Sequence, residues 1–173
     1  SQIKSGVHIL DMGQNMTGWL KIKVKGNQGD RLTIRFAESL KENGELFTAN
    51  LRDAQATDTY ILRGDDVETW EPSFIYHGFR YAEITGYPGT PSVNDFTGQV
   101  VYDNIRTTGT FETSDTILNQ IFRNAWWTIS GNYKGIPVDC PQRNERQPWL
   151  GDRSQGCYGE SFIFDIARLY TKW

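Results

Sequence analysis

The first half of the chain alternates apolar and polar residues along its length. In residues 19–25 apolar side chains occupy every second position, and lysines fill the positions between them. Residues 31–36 follow the same rule, with Leu, Ile and Phe alternating with Arg and Thr. A period of two with one polar face is typical of an antiparallel strand that is buried on one side only. The pattern therefore predicts two half-buried strands, joined by a Gly- and Asn-containing turn at residues 26–30.

Strand-like segments recur at short intervals up to about residue 112. Runs rich in Tyr, Phe, Ile and Thr predict four more strands, at residues 58–63, 74–84, 97–102 and 107–113. Many short strands, separated by Gly and Pro clusters, predict a β-sandwich with jelly-roll character. Four residues of one segment could either fill the sandwich core or form a carbohydrate-binding face. They are Tyr76, His77, Phe79 and Tyr81.

The hydrophobic period changes to that of a helix after Thr113. We predict Ser114 as the N-cap because its hydroxyl can accept a hydrogen bond from an otherwise unpaired amide of the first turn. Asp115 suits the positive end of the helix dipole. Apolar residues then recur at intervals of three and four as far as Gly131, and they predict one apolar helix face. They are Ile117, Leu118, Ile121, Phe122, Ala125, Trp126 and Ile129.

A second helix is predicted to begin between Asp152 and Ser154 and to continue to Trp173. Gly156 and Gly159 lower its helix propensity by up to about 1 kcal/mol each. Their presence indicates close packing of the first turns against another element. One pair of helices cannot bury two broad apolar faces by itself.

Composition excludes some classes of partner. The chain has 173 residues, which is enough for one large domain or for one domain and part of another. Its net charge of −3 argues against a nucleic-acid partner, since phosphate-binding surfaces are usually basic. No apolar run approaches the roughly 20 residues of a membrane span.

Cysteine and histidine usage indicates neither a disulfide framework nor a metal site. Cys140 and Cys157 lack metal-ligand spacing, so we predict two free thiols and assign no metal and no cofactor. Residues 1–20 lack the apolar segment of a signal peptide. The chain begins with serine, which suggests a segment of a longer protein and leaves its compartment open.

Residues 139–152, between the two predicted helices, concentrate charged and aromatic groups. Pro141 and Pro148 prevent a continuous helix there. Carboxylates, guanidiniums and an indole can together bind a polyhydroxylated ligand and move a proton on it. A structural loop held by salt bridges is the alternative interpretation. The residues concerned are Asp139, Arg143, Glu145, Arg146, Trp149 and Asp152.

This loop resembles the signature loop of bacterial α-L-rhamnosidases, which are inverting glycosidases built on a six-hairpin barrel. It departs from the family pattern at Asn144, where the family often has Asp, and at the pair Gln147 and Pro148. Neither departure removes a group that we assign to catalysis.

The resemblance also covers the strand-rich part of the chain. Residues 11–19, 56–60 and 76–81 resemble the β-sandwich domain that precedes the barrel in rhamnosidases. The resemblance implies a β-sandwich domain over residues 1–112. It implies the first helical hairpin of an incomplete (α/α)6 barrel over residues 113–173.

The resemblance further implies a role for each residue of the loop. Glycoside hydrolysis needs an acid to protonate the leaving oxygen, and that role falls on Glu145. Asp139, Arg143 and Asp152 would hydrogen-bond rhamnose hydroxyls. Trp149 would cover an apolar patch of the deoxysugar.

The substrate is then a rhamnose-containing glycoside or polysaccharide. The family's general base lies on a later hairpin, so we expect it outside this chain and expect the chain alone to be inactive. Arg146 and Arg153 are expected to form supporting ion pairs. Two other functions stay open, namely a six-hairpin glycosidase for a different sugar and a non-catalytic carbohydrate-binding β-sandwich module.

Overall fold

The computed structural model describes residues 2–173, whose contacts divide them into two compact units. The first unit contains residues 2–101 and Gln142–Asn144, and the second contains Tyr102–Pro141 and Glu145–Trp173. Residues 102–112 thus group with the second unit, and the domain boundary after residue 112 stays a prediction.

The first unit is built from antiparallel strands. Within residues 2–101 these are β1 (Gln2–Lys4), β2 (Val7–Val24), β3 (Arg31–Ala37), β4 (Ser39–Leu40), β5 (Leu46–Phe47), β6 (Thr57–Ile61), β7 (Glu68–Trp70), β8 (His77–Thr85) and β9 (Phe96–Val100). Seven strands form one connected sheet in the order β1-β2-β8-β3-β6, with β7 and β9 also paired to β2. The predicted β-sandwich is confirmed.

Strand β2 pairs with different strands along its two halves. Its first half pairs with β8, and its second half pairs with β9 and β7. The alternation seen at residues 19–25 forms that second half, where Leu20, Ile22 and Val24 are buried. A Cβ on Gly18 would lie 1.8 Å from the carbonyl oxygen of Gln99, so only glycine allows β9 to approach so closely.

Two aromatic residues of β8 lie in the core of the first unit. Phe79 and His77 are buried, and the His77 ring stacks on Phe36 at 4.2 Å. His77 Nε2 also lies 2.9 Å from Asp58 Oδ1. His77 and Phe79 therefore fill the core and cannot line a carbohydrate-binding face.

The second unit contains α1 (Thr116–Gly131), α2 (Leu150–Glu160) and α3 (Ala167–Lys172). The prediction of Ser114 as N-cap is wrong, because Asp115 caps α1. Its carboxylate accepts hydrogen bonds from the amides of Ile117 (2.8 Å) and Leu118 (3.3 Å). Thr113 Oγ1 accepts the Asp115 amide at 3.1 Å, which places Asp115 at the cap.

The prediction of one long second helix is also wrong. The helix begins earlier than expected and ends at Glu160, because the following backbone pairs with the segment before α1. The Thr108 amide donates to the Ile163 carbonyl at 2.8 Å, and the Asp165 amide donates to the Arg106 carbonyl at 2.9 Å. The predicted strand at residues 107–113 is reduced to a single bridge between Thr107 and Phe164.

Within residues 2–173 the apolar face of α1 is covered only along its second half. Phe122, Trp126 and Ile129 pack on a cluster formed by Tyr133, Ile163, Phe164 and Leu169. Ile117, Leu118 and Ile121 stay exposed. A Cβ on Gly159 would meet no atom within 4 Å, so the close packing expected there is not seen in the described residues.

None of the helices in residues 2–173 is long and apolar enough to cross a membrane.

Candidate active site

The loop between α1 and α2 is closed by a pair of hydrogen bonds. The Asp139 amide donates to the Gln147 carbonyl at 3.0 Å, and the Gln147 amide donates to Asp139 Oδ1 at 2.7 Å. Asp139 therefore holds the loop together with both its backbone and its side chain. The two ends of the loop are fixed at Asp139 and Gln147, with Glu145 two residues before the second end.

Arg146 makes the reversal that closes the loop. Its φ of +49° is in the left-handed region, which costs a residue with a Cβ about 1–2 kcal/mol. Its amide donates to Cys140 Sγ at 3.4 Å, and its Nη2 donates to the Pro141 carbonyl at 3.0 Å. These contacts within the loop compensate for the strained backbone. Cys140 and Cys157 are both free, as predicted.

Glu145 and Trp149 are joined by a hydrogen bond. Trp149 Nε1 donates to Glu145 Oε1 at 3.0 Å, Glu145 is half-buried, and Trp149 is 50% exposed. An indole N–H can only donate, so Oε1 is an acceptor whether the carboxyl is ionised or neutral. In the neutral form the proton then belongs on Oε2. The indole N–H therefore fixes Glu145 Oε1 in either protonation state, and the sequence did not indicate that Trp149 would hold it.

Asp152 and Arg143, the other two residues predicted to contact the sugar, lie in different parts of the structure. Asp152 is exposed in the first turn of α2, where its charge also suits the positive end of the helix dipole. Arg143 is half-buried in Gln142–Asn144, the segment that groups with the first unit. The roles of Asp139, Arg143, Trp149 and Asp152 in binding a sugar stay predictions.

A partly buried lysine lies just before the loop. Burial lowers the pKa of Lys134 to about 8, the nearby Asp103 carboxylate opposes that shift, and Arg146 adds to it. Lys134 Nζ donates to the Gly131 carbonyl at 2.9 Å. The Asp103 carboxylate accepts the Gly135 amide at 2.8 and 2.6 Å from its two oxygens. These contacts hold the turn between α1 and the loop.

Sequence reasoning missed a buried carboxylate behind the loop. Glu160 is 4% exposed and accepts hydrogen bonds from the hydroxyls of Tyr133 and Tyr170, both at 2.6 Å. It also forms an ion pair with Arg153, which confirms that the arginine is ion-paired as predicted. A spacing of seven residues between Arg153 and Glu160 on one helix was the available signal, because it places them on the same face.

Two family models match the chain. The bacterial α-L-rhamnosidase concanavalin-like domain matches residues 1–102, and the bacterial α-L-rhamnosidase six-hairpin glycosidase domain matches residues 106–173.

The relatives of known sequence and structure that match the chain are also α-L-rhamnosidases. An α-L-rhamnosidase of Streptomyces avermitilis is 44% identical over 170 residues, which are 98% of this chain and 16% of that protein. The structure of an α-L-rhamnosidase from Dictyoglumus thermophilum matches with a TM-score of 0.98 and 42% identity over 100% of this chain and 20% of its own. A Streptomyces avermitilis structure complexed with L-rhamnose matches with a TM-score of 0.98 and 43% identity over 100% of this chain and 17% of its own. The chain thus spans a fifth or less of the length of each of these three relatives.

Proposed function

The chain belongs to the bacterial α-L-rhamnosidase family, and from this membership we propose that the complete polypeptide hydrolyses glycosides ending in α-L-rhamnose. Residues 1–112 are its β-sandwich domain, and residues 113–173 begin its catalytic barrel. The names of the relatives support the sugar, and the relative complexed with L-rhamnose supports it further. This proposal favours the catalytic function over a non-catalytic binding module.

Glu145 is the general acid of this proposal. The resemblance of this loop to the family's signature loop supports the assignment, and the hydrogen bond from Trp149 Nε1 fixes Glu145 Oε1 within the loop that Asp139 and Gln147 close. Neutral Glu145 would pass the proton on Oε2 to the glycosidic oxygen while the bond to the anomeric carbon breaks. A water molecule, deprotonated by a second carboxylate, would attack the opposite face of the sugar. We propose that this base comes from the polypeptide beyond residues 1–173.

The remaining loop residues bind the sugar in this proposal. Asp139, Arg143 and Asp152 contact rhamnose hydroxyls, and the exposed ring of Trp149 covers an apolar patch of the sugar. Trp149 would thus have two functions, since its ring contacts the ligand and its N–H holds the acid.

The test of substrate class is a panel of nitrophenyl glycosides given to the complete enzyme. We expect turnover of the α-L-rhamnoside and little turnover of the corresponding glycosides of other sugars. Preference for another sugar would indicate a six-hairpin glycosidase of different specificity. Rhamnose binding without any turnover would indicate a binding module instead.

We predict that the complete enzyme inverts the anomeric configuration. Inversion requires that its two carboxyl groups stand roughly 6.5–9.5 Å apart, which leaves room for water between base and sugar. Proton NMR of the first-formed product should show β-rhamnose from an α-rhamnoside. Appearance of the α-anomer first would mean a retaining mechanism and a nucleophile in place of the base.

Two substitutions of Trp149 separate its proposed functions. Trp149→Phe keeps an aromatic face but removes the N–H on Glu145, so kcat should fall while rhamnose affinity changes little. Trp149→Ala should also weaken rhamnose binding, by about 1 kcal/mol or roughly fivefold in Kd. Calorimetric titration with rhamnose and steady-state kinetics measure the two effects. Equal affinity of the two variants, with a large loss of Tm in the alanine variant only, would make Trp149 a packing residue.

A further inference from the structure

Glu160 is a buried anion whose hydrogen bonds come from three different positions in the second unit. Its Oε2 accepts the hydroxyls of Tyr133 and Tyr170, and its Oε1 accepts Nη1 of Arg153. A carboxylate this deeply buried is stable only when it is paired and hydrogen-bonded. Burial and the hydrogen bonds to Glu160 raise the pKa of both tyrosines above the usual value, so both hydroxyls stay protonated and donate.

Arg153 connects this anion to the backbone that enters the loop. While Nη1 pairs with Glu160, Nη2 donates to the carbonyl of Val138 at 2.9 Å. The guanidinium carbon also lies 5.8 Å from the centre of the Tyr133 ring. On its other side Val138 is held by its own amide, which donates to the Asn132 carbonyl at 2.8 Å. Both backbone polar groups of Val138 are therefore fixed.

Val138 directly precedes the residue that closes the loop. Asp139 makes both hydrogen bonds to Gln147, and Glu145 lies two residues before Gln147. A shift of the Val138 carbonyl would therefore move Asp139, and through Gln147 it would move the segment that carries Glu145. Gly156 contributes space, because a Cβ there would lie 3.3 Å from Glu160 Oε1.

We propose that Glu160 and Arg153 are positioning residues that set the place of Glu145 through the Val138 carbonyl, an inference that rests on the proposed function. The stability of this region comes from the buried apolar cluster around Tyr133, Phe164 and Leu169. A buried ion pair by itself adds little stability, but it can fix one geometry among several. Arginine suits the task because its fork can direct one nitrogen to a carboxylate and another to a carbonyl.

The variant that tests this is Arg153→Lys in the complete enzyme. Lysine can keep the ion pair with Glu160, but it cannot serve the Val138 carbonyl with the same fork. Small misplacements of catalytic groups cost up to about 100-fold in rate. We expect a 10- to 100-fold loss of kcat on a rhamnoside with a poor leaving group. The loss should be clearly smaller on a dinitrophenyl rhamnoside, because its leaving group departs without being protonated. The matched control is Arg168→Lys at an exposed arginine of α3, which should change neither rate.

Glu145→Gln, measured with the same two substrates, separates the two levels of the proposal. If the rate loss of Glu145→Gln depends on the leaving group and the rate loss of Arg153→Lys does not, the positioning role is overturned and the acid assignment stands. If the rate loss of Glu145→Gln is the same on both substrates, the acid assignment and the positioning role are both overturned. An Arg153→Lys variant with lower Tm but unchanged rates would show a purely structural ion pair. Should Arg153→Lys fail to fold, Glu160→Gln, which keeps the side-chain shape, provides the same comparison.

Discussion

Replacing Glu145 with alanine in the complete enzyme is expected to slow hydrolysis of a natural rhamnoside by roughly 10²- to 10⁴-fold, the usual contribution of a positioned general acid. An alkoxide is a poor leaving group and needs the proton that Glu145 supplies. A dinitrophenolate leaves readily without protonation, so the same variant should lose much less on a dinitrophenyl rhamnoside. Steady-state kinetics on the two substrates measure this difference.

The pattern of losses distinguishes an acid from a binding residue. A contact to a sugar hydroxyl does not sense the aglycone, so losing it would slow both substrates about equally. Glu112→Ala, at an exposed glutamate of the same unit, is the control and should leave both rates unchanged. Equal losses for Glu145→Ala would move the acid elsewhere, with Asp139 and Asp152 the next candidates.

The second large effect is expected on stability, at Glu68 of the sandwich. The Glu68 side chain is buried at the start of β7 and accepts hydrogen bonds from the Tyr60 hydroxyl and from the amides of Arg63 and Gly64 (both 3.0 Å). Replacing it with alanine leaves these donors without their acceptor, which is among the costlier kinds of substitution. We expect the sandwich to melt about 5–10 °C lower in Glu68→Ala. Differential scanning calorimetry measures this change.

The change of Tm at acid pH should also depend on the Glu68 carboxylate. The Tyr60 hydrogen bond, together with the two amides, lowers the Glu68 pKa from 4.5 to about 2. A lowered folded-state pKa stabilises the fold above the unfolded value, and that stabilisation is lost as the pH falls toward 2. The gap in Tm between wild type and Glu68→Gln should therefore narrow between pH 4.5 and pH 2. Glu42→Gln, at an exposed glutamate, is the control, and its difference in Tm from wild type should not change with pH. A difference in Tm between wild type and Glu68→Gln that stays constant over that range would contradict the role of Glu68.

Local patterns predicted the elements well where one face of an element is buried within its own unit. The alternation at residues 19–25 identified the second half of β2, since Leu20, Ile22 and Val24 are buried and the lysines between them are half or fully exposed. The break after Glu160 could not be predicted, because the run of apolar residues continues through Phe164. That break depends on backbone pairing with residues 106–109, which are distant along the chain.

The candidate site was predictable as a set of residue types but not as a set of contacts. The resemblance pointed to Glu145 and Trp149, but nothing in the sequence indicated that the indole N–H would lie on Glu145 Oε1. The spacing of Glu160 from Arg153 was a weak signal, since an acidic residue in a helix is usually exposed. Its burial depends on Tyr133 and Tyr170, which come together only in the folded unit.

The pH dependence of kcat/KM on an α-L-rhamnoside with a poor leaving group, measured for the complete enzyme and for Glu145→Gln, tests the assignment of Glu145 most directly. The alkaline limb of such a profile reports loss of the acid's proton, and the acid limb reports protonation of the base. If Glu145 is the general acid, the alkaline limb flattens in the variant while the acid limb persists. An alkaline limb that survives unchanged in Glu145→Gln would contradict the assignment.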